Sequence, residues 1–190
     1  MKTIGVLSLQ GDFQAHCDVV KKVGAIPVPV RTKRDLEGID GLILPGGEST
    51  TMTKLLLSFD LIEPIREMHA KGRGLLGTCA GSILLAENLV ESSQFRFGFI
   101  PMTVRRNGYG RQIQSFETDL DIPIFSTSFH AVFIRAPKIL KCDTGVRILG
   151  EYEGNPVFVH YNNLLATTFH PEITEDTRIH DYFLKNCVST

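Results

Sequence analysis

The sequence has no apolar run approaching the roughly 18–20 residues that a membrane-spanning helix requires, so no span is expected. It also has no excess of either charge: 20 basic and 21 acidic residues leave a formal net charge of -1, which excludes a global field drawing the chain onto nucleic acid or an anionic membrane. Its four cysteines, at positions 17, 79, 142 and 187, form no CxxC and no close Cys/His cluster, which removes a structural zinc site and a thioredoxin-like pair. No internal repeat, low-complexity tract or linker interrupts it. The segment after Met1 and Lys2, TIGVLSLQG, is too short for a signal-peptide core and lacks a cleavage pattern, so a cytoplasmic location with free thiols is expected.

What remains is 190 residues with 43% hydrophobic content, enough for one domain with a sizeable core. The first half alternates short β-rich runs with amphipathic stretches. Strands are predicted over residues 3–9, 26–30, 41–44 and a run ending at Cys79, with the two prolines of 26–30 marking an edge. Helices are predicted after the first strand up to Gly24, through about Leu57, from Leu61 to about Ala70 with Pro64 in the first turn, and from Cys79 through about Asn88. Repeated strand–helix alternation implies parallel β-α-β units: a three-layer, doubly wound, mainly parallel α/β sheet with helices on both faces. Beyond Phe95 the runs FGFIPMTV, RQIQSFET, HAVFIRAP, VRILGEYEG, PVFVHYN and LLATTFH predict further, largely antiparallel strands, and residues 177–188 a closing helix.

Two glycine patterns mislead. Gly72, Gly74 and Gly77 satisfy GxGxxG but precede and occupy a strand instead of following one, and PGGESTT at 45–51 lacks the Gly-Lys-Ser/Thr of a phosphate loop. A more productive stretch is GLLGTCAGSILLA at 74–86. Cys79 there reads either as a buried thiol packing like a small hydrophobe or as the centre of a G-x-C-x-G turn. At the carboxyl end of a central strand, such a turn projects its side chain into the crevice where open α/β sheets bind ligands. The helix beginning near Ala80 would point its amino end at the sulfur and favour a thiolate.

A nucleophile needs a base and an orienter. Of six histidines, five lie in amphipathic or strand contexts, where a surface or core role is expected. His170 stands in TTFHPEIT: Pro171 disfavours a helical conformation at His170, and in an extended segment His170 and Glu172 project to the same side. Alone, H-P-E reads equally as a turn followed by a helix start. With the elbow it completes a nucleophile, base and carboxylate.

These residues resemble those of the class I glutamine amidotransferases, whose elbow is similar to residues 77–81 and whose base and orienter are similar to His170-Pro171-Glu172. GVLSLQG, GLILPGGESTTM, RRNGYGRQ, SFETDL, VFIRAP and FHPEITED, spread in this order over essentially the whole chain, resemble the branch that supplies ammonia to pyridoxal 5'-phosphate synthases. The resemblance implies hydrolysis of L-glutamine to glutamate and ammonia without a cofactor or metal. It further implies delivery of the ammonia to a separate barrel-shaped synthase subunit in a complex of twelve plus twelve subunits, the isolated glutaminase being poorly active.

It also implies roles for individual residues. Cys79, His170 and Glu172 would be catalytic, and the backbone of Gly47 and Ala80 would form the oxyanion hole. Gly46, Gly47, Glu48, Ser49, Arg106, Ile134 and Arg135 would bind glutamine, while Arg105 and Arg111 would face solvent or the partner. A glycine peptide that flips to present its N–H would make hydrolysis depend on the partner. The chain departs from the family pattern at Gly108 and Tyr109, where Ser and Phe are usual, and after Gly11, where Asp12-Phe13 replaces Ala-Val. Two other readings remain open: a related cysteine hydrolase such as a peptidase or deglycase, and a catalytically inactive regulatory module.

Overall fold

The computed structural model describes residues 1–90, 92–110 and 115–188. Its centre is a seven-stranded sheet built from β1 (Thr3–Leu7), β2 (Ile26–Val30), β3 (Gly41–Leu44), β4 (Gly74–Thr78), β10 (Arg147–Tyr152), β11 (Asn155–Tyr161) and β12 (Leu164–Thr167), in the order β10-β11-β12-β4-β3-β1-β2. The five strands from β12 to β2 run parallel, and β11 and β10 continue the sheet antiparallel. The Pro-containing β2 lies at the edge, where a missing N–H donor leaves no gap in a ladder.

Period-two alternation divides the core. Ile43, Leu76 and Leu165, in register across β3, β4 and β12, face one side, against α1 (Phe13–Lys22) and α5 (Arg178–Asn186). Leu42, Leu75 and Leu164 face the other, against α2 (Ser49–Ser58), α3 (Ile62–Ala70) and α4 (Ala80–Leu85). Both faces of the central strands are therefore covered, as a parallel sheet requires. Pro64 is accommodated in the first turn of α3, where its absent N–H costs no helical bond. Cys17 and Cys187 are buried in the core shared by α1 and α5.

Two small sheets flank the large one. β5 (Ala86–Val90), β6 (Ile100–Arg105) and β9 (Lys138–Cys142) form one, and β7 (Ser115–Leu120) pairs with β8 (Phe129–Ile134) as an antiparallel hairpin. The helix expected through Asn88 stops at Leu85, because Ala86 turns to extended backbone and begins a strand that pairs with β6. Sequence-local propensity yields there to long-range pairing. The short β9, whose Lys138-Ile-Leu-Lys-Cys carries no strong alternation, is not anticipated by pattern. Of the strand expected over RQIQSFET, the first four positions, Arg111 included, lie outside the described residues.

The packing of α4 depends on an absent side chain. A Cβ on Gly81 would lie 2.0 Å from the backbone oxygen of Leu44, the last residue of β3. Backbone at a strand end has little room to yield, so Gly81→Ala is expected to destabilise the fold by about 1–3 kcal/mol and to lower Tm in thermal unfolding, relative to the exposed control Gly154→Ala corrected for its own backbone strain.

Candidate functional site

The seven-stranded sheet delivers β4 and β12 side by side, with Thr78 in register with Thr167. One residue later, the N–H of Cys79 donates to the Thr167 carbonyl at 2.9 Å, and the chain reverses into α4. The reversal places Cys79 at φ 48°, ψ -104°, a conformation that costs an L-residue about 1–3 kcal/mol and persists only when its surroundings impose it. Here they do: the Cys79 carbonyl accepts from the Ser82 amide at 3.1 Å and from Ser82 Oγ at 2.7 Å, while Gly77 and Gly81 allow α4 to fold onto β4. The elbow expected from G-x-C-x-G is therefore present, with its strain on the cysteine and its glycines serving close approach. Cys79 is buried, and its sulfur lies 3.7 Å from the Ile134 carbonyl.

His170 follows β12 and is anchored by its own amide, which donates to the Val132 carbonyl at 2.9 Å. Its ring packs on Gly46, where a Cβ would come within 2.3 Å of Cε1. Nδ1 lies 2.7 Å from Glu172 Oε1, leaving Nε2 free on the side of the cleft that Cys79 also lines. Burial works against a charged imidazole, but the bonds to Cys79 and Glu172 and the charges those groups carry when ionised outweigh it and push His170 up to about 10. Burial likewise opposes an ionised Glu172, yet His16 and His170 together hold its carboxyl down at about 2.

In front of the sulfur is a cleft of about 310 Å³. Its lining includes Gly47, Glu48, Ser49, Cys79, Ala80, Arg106, Ile134, Arg135 and His170. Of the residues expected at the site, Gly46 and Glu172 lie outside that lining, Gly46 against the ring of His170 and Glu172 beyond its Nδ1. Glu48 caps α2: its carboxylate accepts from the amides of Thr50 and Thr51 at 3.2 and 2.7 Å and from both threonine hydroxyls. Burial pushes the group up, and these hydrogen bonds together more than reverse it, to about 2. Arg106 Nη2 reaches the same carboxylate at 3.1 Å, so the cleft carries a fixed negative and a fixed positive charge side by side. Arg135 and Asn107, both with left-handed backbone at φ 44° and 48°, turn the chain on the same wall.

Sequence reasoning missed several contributors. Asn107, Ile83 and Pro137 also line the cleft. Gln10 Oε1 accepts from the Glu48 amide at 2.9 Å and occupies the space a Cβ on Gly47 would need, 2.4 Å away. Behind Glu172 stand His16, Thr78 and His180, all buried. A signal existed for His16 alone, which sits beside Cys17 and Val20 on the apolar stripe of α1, where a polar group must find a partner. At the divergent loop, Gly108 is held by its amide to the Ala136 carbonyl at 3.0 Å, and Tyr109 packs on Phe116 and Phe133.

Comparison with known proteins agrees with this geometry. Residues 6–189 match the model of the SNO glutamine amidotransferase family. The chain is 48% identical over 183 residues to pyridoxal 5'-phosphate synthase subunit PdxT of Moorella thermoacetica, covering 96% of this chain and 97% of that one. It is also 48% identical over 187 residues to the PdxT subunit of Kosmotoga olearia, with 97% of each covered. Among solved structures, one described as a glutamine amidotransferase superposes with a TM-score of 0.91 at 45% identity, over 96% of this chain and 97% of the other. PurLQS of Thermotoga maritima shares the fold at a TM-score of 0.69 and 16% identity. An elbow cysteine, an H-P-E loop and a match spanning nearly the whole chain lead to one conclusion: this protein belongs to the SNO glutamine amidotransferase family.

Proposed function

We propose that this chain is the glutaminase subunit of a pyridoxal 5'-phosphate synthase, hydrolysing L-glutamine to L-glutamate and ammonia. The observation that carries the reading is the His170–Glu172 pair meeting Cys79 on one cleft that also holds the Glu48–Arg106 pair. A free amino acid presents an ammonium and a carboxylate, and Glu48 matches the first while Arg106 and Arg135 match the second. Ile134 and Arg135 add backbone groups, and Gly46, Gly47 and Ser49 shape the loop against the substrate.

In the first step the Cys79 sulfur attacks the side-chain amide carbon. The tetrahedral oxyanion is held by the N–H groups of Ala80 and Gly47, each such donor contributing about 2.7–4 kcal/mol. The His170 imidazolium gives its proton to the departing nitrogen, which leaves as ammonia, and a γ-glutamyl thioester remains on Cys79. Neutral His170 then takes a proton from water, whose oxygen attacks the thioester, releasing glutamate and restoring the thiolate–imidazolium pair. Glu172 holds one tautomer and stabilises the imidazolium throughout.

The ammonia passes to the synthase barrel subunit, which combines it with ribose 5-phosphate and glyceraldehyde 3-phosphate; twelve copies of each subunit form the complex, in the cytoplasm. Both PdxT relatives named above are subunits of such a synthase by description. Partner dependence follows if docking reorients the Gly46-Gly47 peptide. The Gln10-Gly11 segment is placed to transmit it, since Gln10 bonds the Glu48 amide and a Cβ on Gly11 would strike the Gly46 oxygen at 1.8 Å.

The deciding experiment measures glutamate released from L-glutamine by the purified chain, alone and with its cognate synthase subunit. Activation of at least about tenfold by the partner is expected; no release under either condition would leave the regulatory-module reading. Cys79→Ala should reduce turnover to the uncatalysed background while the variant still co-elutes with the synthase subunit. Glu172→Gln should lower kcat by about 10²- to 10⁴-fold. Because that substitution removes one of the groups that raise His170, the alkaline limb of the kcat/KM profile should also move to lower pH.

A further inference from the structure

Glu172 uses one oxygen on His170; the other, Oε2, is buried and has no hydrogen-bond partner in the usual geometry among the described residues. His16 Nε2 lies 3.3 Å from it, and that nitrogen is also 3.1 Å from Thr78 Oγ1. On the far side of the ring, His16 Nδ1 is 2.8 Å from His180 Nε2, and His180 Nδ1 has no partner among the described residues. Four side chains from β4, α1, α5 and the loop after β12, Thr78, His16, His180 and Glu172, thus form one buried polar cluster behind the base.

Two proton arrangements fit these distances, and they differ in what faces the carboxylate. If Thr78 Oγ donated to His16 Nε2, the imidazole lone pair would face the Glu172 carboxylate at 3.3 Å. His16 would then donate through Nδ1 to His180 Nε2, and the His180 Nδ1–H would be a buried donor without an acceptor. The reverse order removes both faults and turns a donor toward the carboxylate, at the cost of a Thr78 hydroxyl hydrogen with no acceptor among the described residues. His180 Nε2–H donates to His16 Nδ1, His16 Nε2–H is shared between Thr78 Oγ1 and Glu172 Oε2, and the unpartnered His180 Nδ1 is a bare lone pair, cheaper to bury than an N–H. Burial disfavours the charged form of both rings, lowering His16 and pushing His180 down to about 3.

We infer that His16, fixed as its Nε2–H tautomer by His180, is a positioning residue that clamps the second oxygen of Glu172 and thereby aims the first at His170. This rests on the reading of Glu172 as the orienter of the base and deepens it. The groups facing His16 are Thr78 from β4, His180 from α5, Glu172 and His170 from the loop after β12, and Asp12 at the start of its own helix.

The first test needs no variant: ¹⁵N shifts of the histidine-labelled chain should show His16 and His180 neutral and protonated at Nε2. A proton on His16 Nδ1 would overturn the clamp. The second measures glutamine hydrolysis by the chain docked on its synthase subunit. His16→Leu should lower kcat about 10- to 100-fold, the range of a hydrogen bond to a charged group, with KM within about twofold. It should also raise the acid limb of the kcat/KM profile by about one pH unit, because Glu172 has lost a donor. His16→Gln, whose amide can donate from nearly the same place, should recover most of the loss. Wild-type turnover with an unmoved acid limb in His16→Leu, or a His16→Gln variant as slow as His16→Leu, would refute the proposal. A wild-type complex that releases no glutamate would overturn the proposed activity instead, and the tautomer measurement would still decide the clamp.

Discussion

The site depends on a single backbone constraint: the in-register parallel pairing of β4 with β12, extended one step by the hydrogen bond from the Cys79 amide to the Thr167 carbonyl. A ladder bond fixes two strand ends far more tightly than side-chain packing can. The residues that leave those ends, Cys79 on one strand and His170 three positions beyond Thr167 on the other, inherit that spacing. The strained elbow is tolerable for the same reason. Its cost of a few kcal/mol is met by a core covered on both faces of the sheet, and relaxing it would require breaking the central ladder.

Burying an ionised carboxylate is costly unless each oxygen is answered. Glu172 is answered on one side by an imidazole that changes charge during the proposed reaction and on the other by an imidazole that does not. The contrast comes from surroundings, since all the rings involved have the same intrinsic chemistry. His170 meets Glu172 and the cleft that Cys79 lines, whereas His16 and His180 are fully buried against Glu172, Thr78 and each other.

The parallel sheet, the edge position of β2, the elbow and the H-P-E loop were legible because each rests on local chemistry: alternation, proline's missing donor, glycine's missing Cβ, and the extended backbone imposed before Pro171. The cleft-lining residues around Glu48, Arg106 and Arg135 came instead from family resemblance, since no spacing rule brings positions 48, 106 and 135 together. What stayed hidden was set by distant pairing. β5 displaces the end of a helix because β6 lies beside it, and β9 exists because β6 accepts it. The histidines of α1 and α5 meet only when both helices pack on the same face, and neither segment encodes the other's position.

Among the described residues the β7–β8 hairpin pairs with no other strand, and it carries Ile134 and Arg135 at its end. It is seated by an aromatic cluster in which Phe116 stacks on Phe133 at 4.5 Å and both lie near Tyr109 and Tyr152. One wall of the cleft is therefore set by the bulk of aromatic rings, while Cys79 and His170 are set by main-chain bonding. Cleft width and chemical competence are mechanically separable, so sequence drift among those rings can retune which side chain fits without disturbing the reacting atoms.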